Sequence, residues 1–171
     1  MVKRLIFDVD NTLIPWKEEY KETLRVLTIK YNVFDYFEGI DRIVGSKHAY
    51  NVLTKENLIQ EINESFSIKL PITFIDELIE GQKHNAANPD DFDLQETIHY
   101  LSTKYELYVL SNWYTEAQSG RLERAKIRKY FKVIYGGDTI QMKPSLEAFI
   151  MVMQGNPASE YMMIGDSIDD D

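Results

Sequence analysis

Four short apolar runs constrain this chain most: Leu5-Ile6-Phe7, Leu107-Tyr108-Val109-Leu110, Val133-Ile134-Tyr135 and Met162-Met163-Ile164. Each is bounded by Gly, Ser, Asn or Asp and is too short for a helix, so each reads as a buried strand. Amphipathic stretches lie between the later runs. Leu94, Ile98 and Leu101 recur at helical spacing, and so do Leu146, Phe149, Ile150 and Met153. Strand and helix in alternation imply a parallel sheet with right-handed crossovers, an α/β, Rossmann-like core in three layers.

Residues 15–91 break that rhythm. Helices are predicted from Trp16 to Tyr31, Lys55 to Phe66 and Ile72 to Gln82, with Thr54 as a cap and Pro71 at a helix start. No strand is predicted there. Residues 1–14 and 92–171 therefore form the core, and 15–91 form an all-helical insert after the first strand. Asn88-Pro89-Asp90-Asp91 is the turn that returns the chain to the core. A doubly wound core would continue past Gly165-Asp166-Ser167-Ile168-Asp169-Asp170-Asp171 with a helix, so the expectation is a core truncated at its C-terminal end.

With 171 residues, 44% of them hydrophobic, the chain can build one domain with a substantial insertion. No apolar run approaches the roughly 18 residues of a membrane span. The first residues lack the apolar length and cleavage site of a signal peptide. Zero cysteines exclude disulfides, thiolate metal sites and a cysteine nucleophile, and a cytoplasmic location is expected. A net charge of −9 opposes nucleic-acid binding. It does not oppose a small phosphorylated substrate, because a metal ion and one or two local cations reverse the sign inside a pocket. His48, His84 and His99 are far apart and have no metal-ligand spacing.

Chemistry collects where the predicted strands end. Asp8 and Asp10 follow the first run, and the carboxyl ends of parallel strands are where open sheets bind ligands. On a continued strand the two would share one face and repel each other unless a cation or proton intervened. One reading is a metal-assisted pair, in which one carboxylate attacks and the other handles protons. The other is a turn in which Asp10 or Thr12 caps a helix. Ser111-Asn112 ends the second run, and Gly165-Asp166-Ser167 ends the fourth. Lys143 precedes Pro144, a favoured first helical residue. A lysine there has the wrong sign for the helix dipole, and a phosphate between the two would satisfy both.

In this order, Asp8-Val9-Asp10-Asn11-Thr12, Ser111, Lys143 and Gly165-Asp166-Ser167 with following acids, the sequence resembles the haloacid-dehalogenase superfamily. The resemblance spans almost the whole chain, and the insert looks like that family's helical cap of the first type. It implies a phosphatase in which Asp8 attacks phosphorus and Asp10 acts as acid, then base. It implies Mg2+ held by Asp8, the Asp10 carbonyl and Asp166, with Asp170 or Asp171 as the supporting acid. Thr12, Ser111, Asn112 and Lys143 would bind the phosphoryl group, Thr12 also steadying the loop. Family members that attack carbon lack an acid at the position of Asp10, since halide leaves without a proton. The implied substrate is a small phosphorylated metabolite. A phosphomutase and a non-catalytic phosphate- or partner-binding domain are the alternatives. Trp16, Tyr20, Trp113 and Tyr114 either pack the insert against the core or line the substrate pocket.

Overall fold

The computed structural model describes residues 1–46, 51–83, 87–169 and 171, with 17–19 as backbone alone. The four runs become strands β1 (Arg4–Phe7), β2 (Glu106–Leu110), β3 (Phe131–Tyr135) and β4 (Tyr161–Ile164), each starting one or two residues early. All pair in parallel, in the order β3-β2-β1-β4. Alternation divides their side chains between two faces. Leu5, Phe7, Leu107 and Val109 pack with Ile98 of α5 (Phe92–Ser102) and Leu122 of α6 (Thr115–Arg124). Ile6, Tyr108 and Leu110 pack with Ala148 and Val152 of α7 (Leu146–Met153) on the opposite face. Helices thus cover both faces, as the three-layer reading requires. Each fully buried Leu, Ile or Phe here contributes on the order of 1.5–3 kcal/mol.

Among the described residues, four α-helices lie between β1 and α5, one more than periodicity predicts: α1 (Lys17–Lys30), α2 (Phe37–Gly45), α3 (Lys55–Phe66) and α4 (Thr73–Lys83). The additional one, α2, buries Ile40 and Val44 at helical spacing. Thr54 caps α3, its hydroxyl accepting the Asn57 N–H at 3.1 Å. Pro71 lies just ahead of α4, and its carbonyl accepts the Phe74 N–H. Asp91 ends the return turn and caps α5 through the Leu94 N–H.

The inserted helices share a core of their own, which Trp113 and Tyr114 enter from the β2–α6 loop. Backbone bonds from Leu53 N–H to the Gly137 carbonyl (2.6 Å) and from Met142 N–H to the Asn51 carbonyl (3.0 Å) tie the insert to loops at the sheet's carboxyl edge. Among the described residues, no helix is long and apolar enough to cross a membrane.

From β1 the chain moves outward through β2 to β3, then returns to place β4 on the other side of β1. Connections therefore diverge above the carboxyl ends of β1 and β4, which opens a crevice at that point of the sheet.

Candidate active site

A cavity of about 220 Å³ occupies that crevice, its walls including Asp8, Asp10, Trp16, Lys143, Asp166 and Asp171. Asp8 is held at the end of β1 by its N–H, which donates to the Ile164 carbonyl of β4 at 2.9 Å. Only 7% of it is exposed. Burial pushes its carboxyl pKa up to about 6; the ammonium of Lys143 opposes the rise, and the charge of Asp10 adds to it.

The chain then turns sharply. The Val9 carbonyl accepts N–H groups from Thr12, Leu13 and Ile14, and Asn11 adopts φ 59°, a left-handed conformation that asparagine tolerates. The strand therefore does not continue through Asp10, and the two carboxylates do not share a strand face. Asp8 meets Lys143, whereas Asp10 swings toward α6, although both still line the cavity.

Lys143 is 4% exposed, with its ammonium 3.0 Å from Asp8 Oδ1 and also bonded to Asp171 Oδ1. Asn112 fixes the lysine's backbone reciprocally: its Nδ2 donates to the Lys143 carbonyl, and its Oδ1 accepts the Lys143 N–H. Pro144 is not the first helical residue. Ser145 caps α7, its hydroxyl accepting the Glu147 N–H, so the helix begins at Leu146, beyond a cis Lys143–Pro144 bond.

Asp8, Asp166 and Asp171 each bring a carboxylate oxygen within 4.8 Å of the other two. Three carboxylates beside one lysine leave uncompensated negative charge, and hard oxygen donors this close suit a magnesium-sized cation. The donor set fits such an ion. Asp171 reaches the cluster by lying against Gly165, where any side chain would collide with its carboxylate, and by accepting the Ser167 N–H. Asp170 falls outside the described residues, as do His48 and His84.

Two residues that periodicity does not reveal hold Asp10. Arg121 Nη1 donates to Asp10 Oδ1 at 2.5 Å, and Gln118 Nε2 donates to Asp10 Oδ2 at 2.9 Å. Both come from the buried face of α6. Gln118 Nε2 also donates to Ser111 Oγ, which lies buried at the end of β2. Thr12 is not brought to the cavity. The turn carries it away, and its Oγ1 is buried without a hydrogen-bond partner.

Of the aromatic candidates, only Trp16 lines the cavity. Tyr20 stacks behind it with ring centroids 4.7 Å apart. Trp113 and Tyr114 are buried between insert and core, where Trp113 Nε1 bonds Gln82 Oε1 and the Tyr114 hydroxyl donates to the Thr54 carbonyl. His99 stacks on Tyr130.

The sequence profile of the haloacid dehalogenase-like hydrolases matches residues 5–171. A curated phosphoglycolate phosphatase of Pseudomonas fluorescens is 46% identical over 52 residues, which are 29% of this chain and 19% of that protein. The chain thus aligns with about a fifth of that relative's length. Among solved structures, the HAD-hydrolase YfnB of Bacillus subtilis, described as bound to magnesium, superposes with a TM-score of 0.74 at 22% identity. That match covers 99% of this chain and 82% of YfnB. A Thermotoga maritima protein described as a beta-phosphoglucomutase gives 0.62 at 22% identity, over 99% and 78% of the two chains. At such identities these superpositions speak for the fold. By fold and by a profile match over nearly its whole length, the chain belongs to the haloacid dehalogenase-like hydrolases.

Proposed function

We propose that this chain is a magnesium-dependent phosphatase that hydrolyses a small phosphomonoester through an aspartyl-phosphate on Asp8. One observation carries the reading: a buried carboxylate, a buried lysine and two further carboxylates converge on one small cavity at the carboxyl edge of the sheet. Asp8, Asp166 and Asp171 would hold the cation, which when bound offsets charge on the phosphoryl oxygens and favours the ionised form of Asp8.

The protein's own groups then act in two half-reactions. An oxygen of Asp8 attacks phosphorus as the bond to the leaving oxygen breaks, and the proton of Asp10 passes to that oxygen. The ionised Asp10 next takes a proton from water as the water oxygen attacks phosphorus, releasing phosphate and restoring Asp8. Lys143 and the Ser111 hydroxyl bind phosphoryl oxygens as charge builds. Asn112 keeps Lys143 in place. Residues 15–91 act as a cap whose Trp16 bounds the substrate side of the cavity.

A volume of about 220 Å³ favours a substrate with few atoms beyond its phosphate. Phosphoglycolate, on which the curated relative is named as acting, is the first compound to try. The test is phosphate release from p-nitrophenyl phosphate and from a panel of phosphorylated metabolites, with and without magnesium. Release that requires magnesium and disappears in Asp8→Asn is expected. Unchanged turnover by that variant contradicts the reading, and conversion of substrate without free phosphate marks a phosphomutase instead.

A further inference from the structure

Arg121 and Gln118 are an unusual pair to bury on a helix. The Arg121 side chain is 3% exposed, and Gln118 is fully buried. Apolar residues of similar volume would fill such positions at equal or lower cost, because burying a guanidinium carries a large desolvation penalty. Both terminal nitrogens of the guanidinium and both amide atoms of Gln118 have partners. Arg121 Nη1 donates to Asp10 Oδ1 and to Gln118 Oε1 (2.8 Å), while Nη2 donates to the Pro15 carbonyl at 2.9 Å. Gln118 Nε2 donates to Asp10 Oδ2 and to Ser111 Oγ at 2.8 Å.

The arrangement has one consistent orientation. Because Gln118 Oε1 accepts from the guanidinium, its amide nitrogen must face Asp10 and Ser111; the flipped amide would set oxygen against carboxylate. Asp10 is thereby held by both oxygens, and each keeps a lone pair for a reacting partner. The same guanidinium grips Pro15, where the chain leaves the core for the insert. One helix face therefore fixes the acid–base carboxylate relative to both the phosphate-binding hydroxyl and the base of the insert.

We propose that Arg121 and Gln118 are positioning residues that aim Asp10 at the leaving oxygen. This inference deepens the phosphatase reading and rests on it. They contact the carboxylate of Asp10, and Gln118 also the Ser111 hydroxyl, but neither lines the cavity where the substrate would sit. The effect of Arg121 reaches the reaction through Asp10, so it scales with how much the leaving oxygen needs a proton; Gln118 adds to this a contribution through Ser111 that is the same for every leaving group.

The experiment measures kcat and KM with magnesium for the wild type, Arg121→Met, Arg121→Lys, Gln118→Met and Asp10→Asn. The substrates run from dinitrophenyl phosphate, whose leaving group departs without a proton, to simple alkyl phosphates. General acid catalysis is worth roughly 10²- to 10⁴-fold, so Arg121→Met should lose on the order of 10²-fold in kcat on alkyl esters and only a few-fold on the dinitrophenyl ester. KM should stay near the wild-type value. The steeper leaving-group dependence should parallel that of Asp10→Asn, and Arg121→Lys should restore part of the loss. If Arg121→Met does not fold, Gln118→Met, which removes no charge, is compared instead by its leaving-group dependence, because its lost bond to Ser111 lowers kcat equally on all esters. A loss equal across all leaving groups, or no loss, overturns the inference while leaving the phosphatase reading intact. Absence of wild-type turnover on every ester overturns both.

Discussion

Asp8 carries a charge that its surroundings neutralise only in part: burial disfavours ionisation, and Lys143 is shared with Asp171. Its pKa of about 6 in the fold lies above the roughly 3.9 of an unfolded aspartate, so the unfolded chain is the easier one to ionise. Without metal, this residue therefore removes stability as pH rises from about 4 to about 6, by on the order of 1–3 kcal/mol once the rise is complete. Thermal unfolding in EDTA across that range should show the loss in the wild type relative to Asp8→Asn; parallel curves for the two would contradict it. Gly165 matters for a different reason, since only the missing side chain lets Asp171 close on Asp8 and Asp166. Gly165→Ala should weaken magnesium binding at least several-fold in calorimetry while leaving the sheet intact; unchanged affinity would remove Asp171 from the site. Asp8, Asp10 and Asp166 could be picked out in the sequence because each lies just past an apolar run that reads as a strand, and Lys143 because it precedes Pro144. Thr12 was misplaced, since no periodicity reveals a turn folding back on the Val9 carbonyl.

Among the elements, α6 shows why part of the site stayed hidden. Its buried face is Ala117, Gln118, Arg121 and Leu122, so half of it is polar and an apolar-period reading passes over it. Spacing at i and i+3 of a glutamine and an arginine just past a strand end was the available signal. The opposite case is the β2–α6 loop, whose aromatic residues were visible but could not be assigned to pocket or packing from sequence. Trp113 proves to be a wedge, with ring centroids 5.5 Å from Trp16 and 4.9 Å from Tyr114. Trp113→Ala should cost roughly 3–5 kcal/mol in denaturant unfolding, as large-to-small changes at filled sites do. A cost below about 1 kcal/mol, the scale of a surface change, would show that the insert does not depend on this contact.

Across the whole molecule, strand order decides where the chemistry sits. Placing β1 between β2 and β4 brings the residues after three strands to one edge, and the return of the chain to β4 opens the crevice between Asp8 and Asp166. The insert closes over that edge with Trp16 and Gly45 on the cavity wall, which limits what can enter. An α/β core with a helical insertion was readable from alternation and its interruption; the contacts that seat the insert were not, because they join residues far apart in sequence. The proposed reaction turns on phosphorus becoming bonded to Asp8. Asp10→Asn should slow return of the phosphoryl group to water and accumulate an adduct when given substrate and magnesium. Intact-mass spectrometry should then find one added phosphoryl group, labile to hydroxylamine and mapped to Asp8, and absent from the Asp8→Asn, Asp10→Asn double variant. Turnover by the wild type with no adduct at Asp8 in the trapping variant, or with the group found on another residue, would contradict the account.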